Sequence, residues 1–358
     1  MVQYLRMSLF AHVLERCGVE AMIVLAPSNV FYLSGYPGED CSVVLTQDNA
    51  YLITDPRYVY EAERSLNGRM QVVLAENNLY AQLAELAFRD GARRVGIEDT
   101  IPHRAWQALH EACVQKSQDI VTVSDALIAL REIKSEYEIA CIEQSQRITD
   151  KVFEEILPYI RPGVSENEIA ARIEFAMRLQ GASPAFATIV ASGLNGCSPH
   201  AHPSDKPIAN GEWITMDFGA KLHGYCSDMT RTVACGQVPP KQIEMYHAVL
   251  EAQQNALQHI RAGMTGKQAD AYARDVLAKY DMAQDFKHSL GHGLGVDIHE
   301  GIALSPRCDR ILQPGMVVSV EPGVYRDGVC GIRIEDIVVI QEHGVRDLTR
   351  SNKNLMIL

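Results

Sequence analysis

Four carboxylates, each in or beside an apolar run, carry the first chemical signal. Asp217 lies in GEWITMDFG and Asp228 in CSDMTRTV; Glu321 lies in GMVVSVEPG and Glu335 in GIRIEDIVVI. An acid among Val, Ile and Met is costly to bury unless it is paired or bound to a cation. For any one of them, an internal ion pair with Arg231 or Arg333 is a sufficient account. For all four it is not, because their positions match. Asp217 follows Gly211 by six residues, Glu321 follows Gly315 by six, and each has a glycine two residues further on. Four carboxylates brought together repel one another strongly, and two divalent cations would cancel that charge.

A nitrogen ligand is available nearby. The segment GHGLGVDIHE (291–300) holds His292 and His299 among glycines. It is not a zincin helix, because H-E-x-x-H is absent and the glycines would weaken a helix. Its match to a G-x-G-x-x-G dinucleotide fingerprint is partial. The glycines fit a backbone that must come close to a metal centre, with His292 as the single imidazole. Such a ligand set suits Mn²⁺, Co²⁺, Fe²⁺ or Zn²⁺ rather than a thiolate-selective metal. Paired ions about 3.5–4 Å apart hold a hydroxide and polarise a carbonyl, so the chemistry predicted is hydrolysis.

These residues need elements to position them. A repeat supplies the plan: RPGVSENEIAAR begins at Arg161, and RAGMTGKQADAY begins at Arg261, one hundred residues later. Each has Arg-x-Gly, then Ser or Thr as a predicted N-cap, then a helical pattern. Each is followed by an apolar strand ending in an acid, then a turn-rich stretch and a second strand with another acid. A duplicated unit packed on itself would gather the four acids at a pseudo-twofold centre. Asp217 and Asp228 are eleven residues apart around KLHGY. In a simple two-residue hairpin that odd separation sets them directly opposite on one face.

Ahead of this lies a different pattern. AMIVLA (21–26), CSVVLT (41–46) and RVGIED (94–99) read as buried strands, and 78–91 and 101–115 as helices. Ser135 with Glu138 fits a capping box opening a long helix that starts the second domain. The predicted architecture is α+β: a smaller α/β domain over 1–124 and a duplicated catalytic domain over 125–358. In the first domain, Asp40, Asp55 and Arg57 fit either a cleft or solvated loop charge.

Composition removes several functions. The net charge of −12 argues against a nucleic-acid surface. No apolar run is long enough for a membrane span, and the charged, amphipathic N-terminus has no signal-peptide core. Nine cysteines, never spaced C-x-x-C, read as reduced thiols of a cytoplasmic protein. Cys197, Cys226 and Cys330 fall near the predicted site, where packing or redox sensitivity would account for them.

At these residues the chain resembles the pita-bread metallopeptidases: prolidase, aminopeptidase P and their relative creatinase. The motifs are MDFGAKLHGYCSDMTRT, HSLGHGLGVDIHE, VEPGVY and GIRIEDIVV, with APSNVFYLSGYPG in the N-terminal part. The resemblance implies that Asp217 and Asp228 bind one metal, His292 and Glu321 the other, with Asp228 and Glu335 bridging. It implies two divalent ions, with Mn²⁺ or Co²⁺ ahead of Zn²⁺ or Fe²⁺. His200 and His299 resemble the histidines that hold the scissile carbonyl and its tetrahedral intermediate. His288 would line the substrate pocket, and Arg333 would orient a metal-binding acid. The implied substrates are short peptides with proline second, cut at the Xaa-Pro bond with Glu321 as proton shuttle, and the implied assembly is a homodimer. Two departures stand out: PHA replaces the commoner PHG, and Ala303 stands where prolidases often place an arginine for a dipeptide carboxylate, with Arg307 close by. The alternatives are a hydrolase of another small C–N substrate and a metal-binding member without peptidase activity. Creatinase lacks the full ligand set found here, and methionine aminopeptidases lack the N-terminal domain.

Overall fold

In the computed structural model, which describes residues 2–89 and 91–358, the chain divides into two compact units, Met1–Arg131 and Glu132–Leu358. The apolar runs of the first unit become central strands. β1 (Ala21–Val24) and β2 (Cys41–Thr46) are buried almost throughout, which is why their sequences are continuous rather than alternating. β3 (Ala50–Thr54), β4 (Gln71–Leu74), β5 (Arg94–Ile97) and β6 (Asp119–Thr122) complete a sheet of order β4-β3-β2-β1-β5-β6. The β1–β2 and β2–β3 pairs are antiparallel, the others parallel. Helices α1 (Val2–Cys17), α2 (Pro27–Ser34), α3 (Val59–Leu66), α4 (Leu79–Phe88), α5 (His103–Gln115) and α6 (Ser124–Glu132) accompany it. Alternate strand residues feed two cores, one around Leu33 and Val43, the other around Ile23, Val44 and Leu109. Arg57 pairs with Asp40 and Asp55 at the exposed surface, so these three are solvated charges rather than a cleft.

The second unit opens with α7 (Glu136–Ile156), whose N-terminus is closed by the Ser135–Glu138 capping box that the sequence predicts. Then follow α8 (Glu166–Leu179), β7 (Ser183–Pro184), β8 (Ile189–Ser192), β9 (Glu212–Phe218), β10 (Ala220–Leu222), β11 (Tyr225–Cys226) and β12 (Met229–Cys235). After them come α9 (Pro240–His259) and α10 (Gly266–Lys279). The last strands are β13 (Gly291–His292), β14 (Ala303–Leu304), β15 (Val317–Val320), β16 (Gly323–Arg326), β17 (Cys330–Arg333), β18 (Asp336–Gln341) and β19 (Gly344–Asp347). No described helix is long and apolar enough to cross a membrane.

The duplication is visible bond by bond. Gly163 N donates to Ile208 O, and Gly263 N to Leu312 O. Ile208 N donates to Val164 O, and Leu312 N to Met264 O; Glu166 N donates to Lys206 O, and Gly266 N to Arg310 O. The two N-cap residues, Ser165 and Thr265, form matching bridges to Pro207 and Ile311. Each copy thus pins the start of its helix to the segment leading into its acid-bearing strand. One copy packs around Ile173, Met216 and Val233, the other around Val249, Leu277 and Val318.

The Asp217–Asp228 register differs from the hairpin expectation. Asp217 pairs with Thr230, not with Asp228. The connection is longer than two residues: β10 and β11 pair with each other around a turn in which His223 and Gly224 take φ of 51° and 81°. Asp228 therefore stands diagonal to Asp217, two positions from Thr230, and the strand period of two keeps both acids on one face.

Candidate metal centre

β9 delivers Asp217 near its C-terminal end, and Asp228 stands immediately before β12. In the second copy Glu321 follows β15, and Glu335 precedes β18. Where the copies meet, Glu335 N donates to Thr230 O. β13 carries His292, paired with Ala303 of β14. Ligand atoms of Asp228, His292 and Glu335 all lie within 4.8 Å of one another. His292 Nε2 is 3.5 Å from Asp228 Oδ2 and 3.4 Å from Glu321 Oε1. All five residues, together with His200, His288, His299, Arg333 and Ala303, line one cavity of about 330 Å³. Arg307 is exposed and is not part of that lining.

Gly291 lines the cavity with the acids, and the glycines around His292 also meet a contact that the sequence did not show. A methyl group on Gly291 would lie 1.9 Å from Ser319 O, and one on Gly293 would lie 2.2 Å from Glu300 O. A Cβ there would strike neighbouring backbone, because the ribbon is clamped between β15 and the 300–302 segment.

Electrostatics set the site apart. Burial, then the charges of Glu335, Asp217 and Glu321, push Asp228 well above the carboxylate range. Burial and the charges of Glu321 and Asp217 do the same to Glu335. Glu321 is pushed up to about 8, first by burial and then by Asp217, with Arg333 opposing. Burial brings His292 down to about 3, with His299 adding to the effect, so the ring is neutral. Its Nδ1 lies 3.2 Å from Gly293 O, which turns a bare Nε2 toward the acids. Asp217 Oδ1 and Glu335 Oε1 are buried with no hydrogen-bond partner. Buried carboxylate oxygens without partners, mutual repulsion and an unprotonated imidazole are what a divalent-cation site requires. The residues present fit such ions.

Around the acids stands a second ring of contacts. Arg333 donates from Nη2 to Asp217 Oδ2 (2.6 Å), from Nε to Thr230 Oγ1 (2.9 Å) and from Nη1 to Tyr325 Oη and Pro199 O. Thr230 Oγ1 donates to Glu335 Oε2 (2.6 Å), and Ser319 Oγ donates to Glu321 Oε1 (3.1 Å). Tyr325 Oη donates to His288 Nε2 at 2.9 Å. His288, brought down to about 4 by burial and Arg333, is neutral. His299 is also lowered by burial and by His200, and its ring stands 4.1 Å from that of His292. His200 and His299 are exposed at the cavity. Sequence reading missed Thr230, Ser319 and Tyr325; the available signal was a hydroxyl two residues from Asp228 and from Glu321 inside apolar strands. Cys226 and Cys330 are buried, and half-buried Cys197 donates to Arg326 O.

Comparison with known proteins agrees with this geometry. Residues 140–342 match the family model "Metallopeptidase family M24", and residues 6–133 match "Creatinase/Prolidase N-terminal domain". The "Uncharacterized peptidase YqhT" of Bacillus subtilis (strain 168) is 42% identical over 342 residues, covering 95% of this chain and 96% of its own. The Xaa-Pro dipeptidase from Bacillus anthracis superposes with a TM-score of 0.94 at 37% identity, over 99% of this chain and 100% of that one. The X-Pro aminopeptidase from Thermotoga maritima MSB8 gives 0.90 at 33%, over 97% and 100%. The chain belongs to metallopeptidase family M24, with a pita-bread catalytic domain preceded by a creatinase/prolidase N-terminal domain.

Proposed function

We propose that Asp217, Asp228, His292, Glu321 and Glu335 hold two divalent cations, Mn²⁺ or Co²⁺ ahead of Zn²⁺ or Fe²⁺, and that this centre cleaves the Xaa-Pro bond at the N-terminus of short peptides. The observation that carries the reading is the convergence of four acids and one neutral imidazole, with Asp217 Oδ1 and Glu335 Oε1 left without hydrogen-bond partners. When bound, such ions acidify water and polarise a carbonyl. The chain's own residues do the rest. Glu321 takes a proton from the attacking water and passes it to the proline nitrogen. His200 and His299 donate hydrogen bonds to the carbonyl oxygen as it gains negative charge. Arg333 and Thr230 hold Asp217 and Glu335 in place. His288 and Tyr325 shape the wall beside them.

Peptides longer than two residues are favoured over dipeptides. Ala303 forms part of the wall, and the one cation among the described lining residues, Arg333, is already bound to Asp217. Among the described lining residues a dipeptide carboxylate therefore meets no side-chain cation that is not already paired. The reading extends to a cytoplasmic homodimer: the nine free thiols support a reducing compartment, and the dimer rests on the family resemblance.

The test is chelation followed by separate restoration of Mn²⁺, Co²⁺ or Zn²⁺, with an Xaa-Pro dipeptide assayed beside an Xaa-Pro-Xaa tripeptide and Asp228→Asn as control. Metal-dependent release from the tripeptide, lost in the variant, is expected. Metal binding with no cleavage of either peptide would defeat the reading and leave another C–N bond or a binding role.

A further inference from the structure

Between Ser192, the last residue of β8, and Ser204 the chain brings Pro199 and His200 to the cavity wall with a single 3-10 turn, Gly193–Cys197, as regular structure. What fixes this loop is Glu166, the first residue of α8, which is wholly buried. Its Oε1 accepts from Ser192 N (2.6 Å) and Ser192 Oγ (2.8 Å). Its Oε2 accepts from Ser204 Oγ (2.6 Å) and Ser204 N (3.2 Å). Asn195 Nδ2 reaches both oxygens, at 3.1 and 3.0 Å. Both ends of the loop and its first turn therefore converge on one carboxylate. Lys206 stands behind them, donating to Ser192 Oγ at 2.8 Å. Charge-assisted hydrogen bonds of this kind are short and directional, so the carboxylate fixes the loop's base tightly.

Two observations separate this from ordinary capping. The N-terminus of α8 is already capped by Ser165, which accepts from Glu168 N. The equivalent position in the second copy is Gly266, which makes the same backbone bond but has no side chain. The carboxylate is not a shared requirement of the duplicated unit; it belongs to the copy that carries His200. We infer that Glu166 is a positioning residue for the reaction, fixing the place of His200 through the 192–204 loop without touching substrate. The inference rests on the reading of His200 as a substrate contact.

The test compares wild type, Glu166→Gln, His200→Ala and the double variant, all metal-loaded, for kcat and KM on an Xaa-Pro peptide. Amide hydrogen exchange over 192–204 is measured alongside. Glu166→Gln keeps the shape but sets amide protons against donors. It should lower kcat by about 10- to 100-fold, the scale of a small misplacement of a catalytic group. The double variant should fall no further than His200→Ala alone, within about twofold, because both changes act through one group. Exchange at 192–204 should quicken while that of β9 does not. Exposed Glu168→Gln, two residues on, should stay near wild type. Losses that multiply, or lost activity with unchanged loop exchange, would overturn the inference. If Glu166→Gln does not fold, Ser204→Ala removes one donor and gives the same comparison. If wild type cleaves no Xaa-Pro peptide, the functional reading fails, and the exchange measurement alone decides whether Glu166 holds the loop.

Discussion

Arg333 shows how much of the site depends on one side chain. It reaches Asp217, Thr230, Tyr325 and Pro199 from three nitrogens. A lysine keeps the charge but offers no planar fork. Arg333→Lys should retain bound metal yet lower kcat by about 10- to 100-fold, as loss of a ligand-orienting partner does; metal content by elemental analysis beside steady-state kinetics would check it. Unchanged kcat would mean that Asp217 is held without the fork. The four acids were legible as a set in the sequence because matched positions in two copies are improbable without a shared purpose, and His292 was legible from the glycines around it. Thr230 and Ser319 were not, because a hydroxyl in a strand signals nothing until its acceptor is known.

Among the elements, the β13–β14 ribbon is the most constrained. Gly293 N donates to Ile302 O, and Glu300 N donates to Gly293 O. A side chain at 293 has no room to enter without parting these strands, and His292 and His299 ride on the same ribbon. Gly293→Ala should therefore cost about 1–3 kcal/mol of stability, the usual cost of overpacking, and weaken metal binding together with it. A calorimetric scan with a metal titration separates the cases: an unchanged melting temperature and affinity would show that the ribbon relaxes freely. The sequence marked these glycines but not their contact, since spacing along a chain says nothing of which strand lies across. It also showed β1, β2 and β5, whose apolar runs are unbroken, and not β4 or β6, four-residue edge strands with partly exposed faces. A two-residue hairpin was assumed between Asp217 and Asp228 because nothing in KLHGY announces the β10–β11 excursion.

For the molecule as a whole, the clustered acids tie stability to pH. Without metal, folded Glu321 keeps its proton up to about 8, whereas a free glutamate loses it near 4.5. Burial, the main cause, raises Asp228 and Glu335 in the same direction. At these acids the folded state binds more protons than the unfolded chain between those limits, so their contribution falls as pH rises through the upper value, whereas His288 and His292, brought down to about 4 and about 3, act in the opposite sense below the free histidine value of 6.5. Chelated protein should melt progressively lower as pH rises between about 7 and 8, above the range in which the histidines titrate, and added Mn²⁺ should stabilise it most at the alkaline end. A melting temperature that rises with pH over that range in the chelated protein would contradict this account of the site.

The duplication also carries an inequality. Gly293 bridges Val318, which sets His292 beside Ser319. In the first copy the strand position matching Ser319 is Thr215, and its neighbour is Ala191. One copy therefore offers an imidazole where the other offers a methyl group, so the two halves of a pseudo-twofold scaffold present unequal surroundings to the shared acids. Two identical ions should then fill the centre in sequence rather than together. Calorimetric titration of chelated protein with Mn²⁺ should resolve two unequal affinities, and His292→Ala should abolish the tighter one; a single class of site would mean that the shared acids, not the imidazole, govern loading.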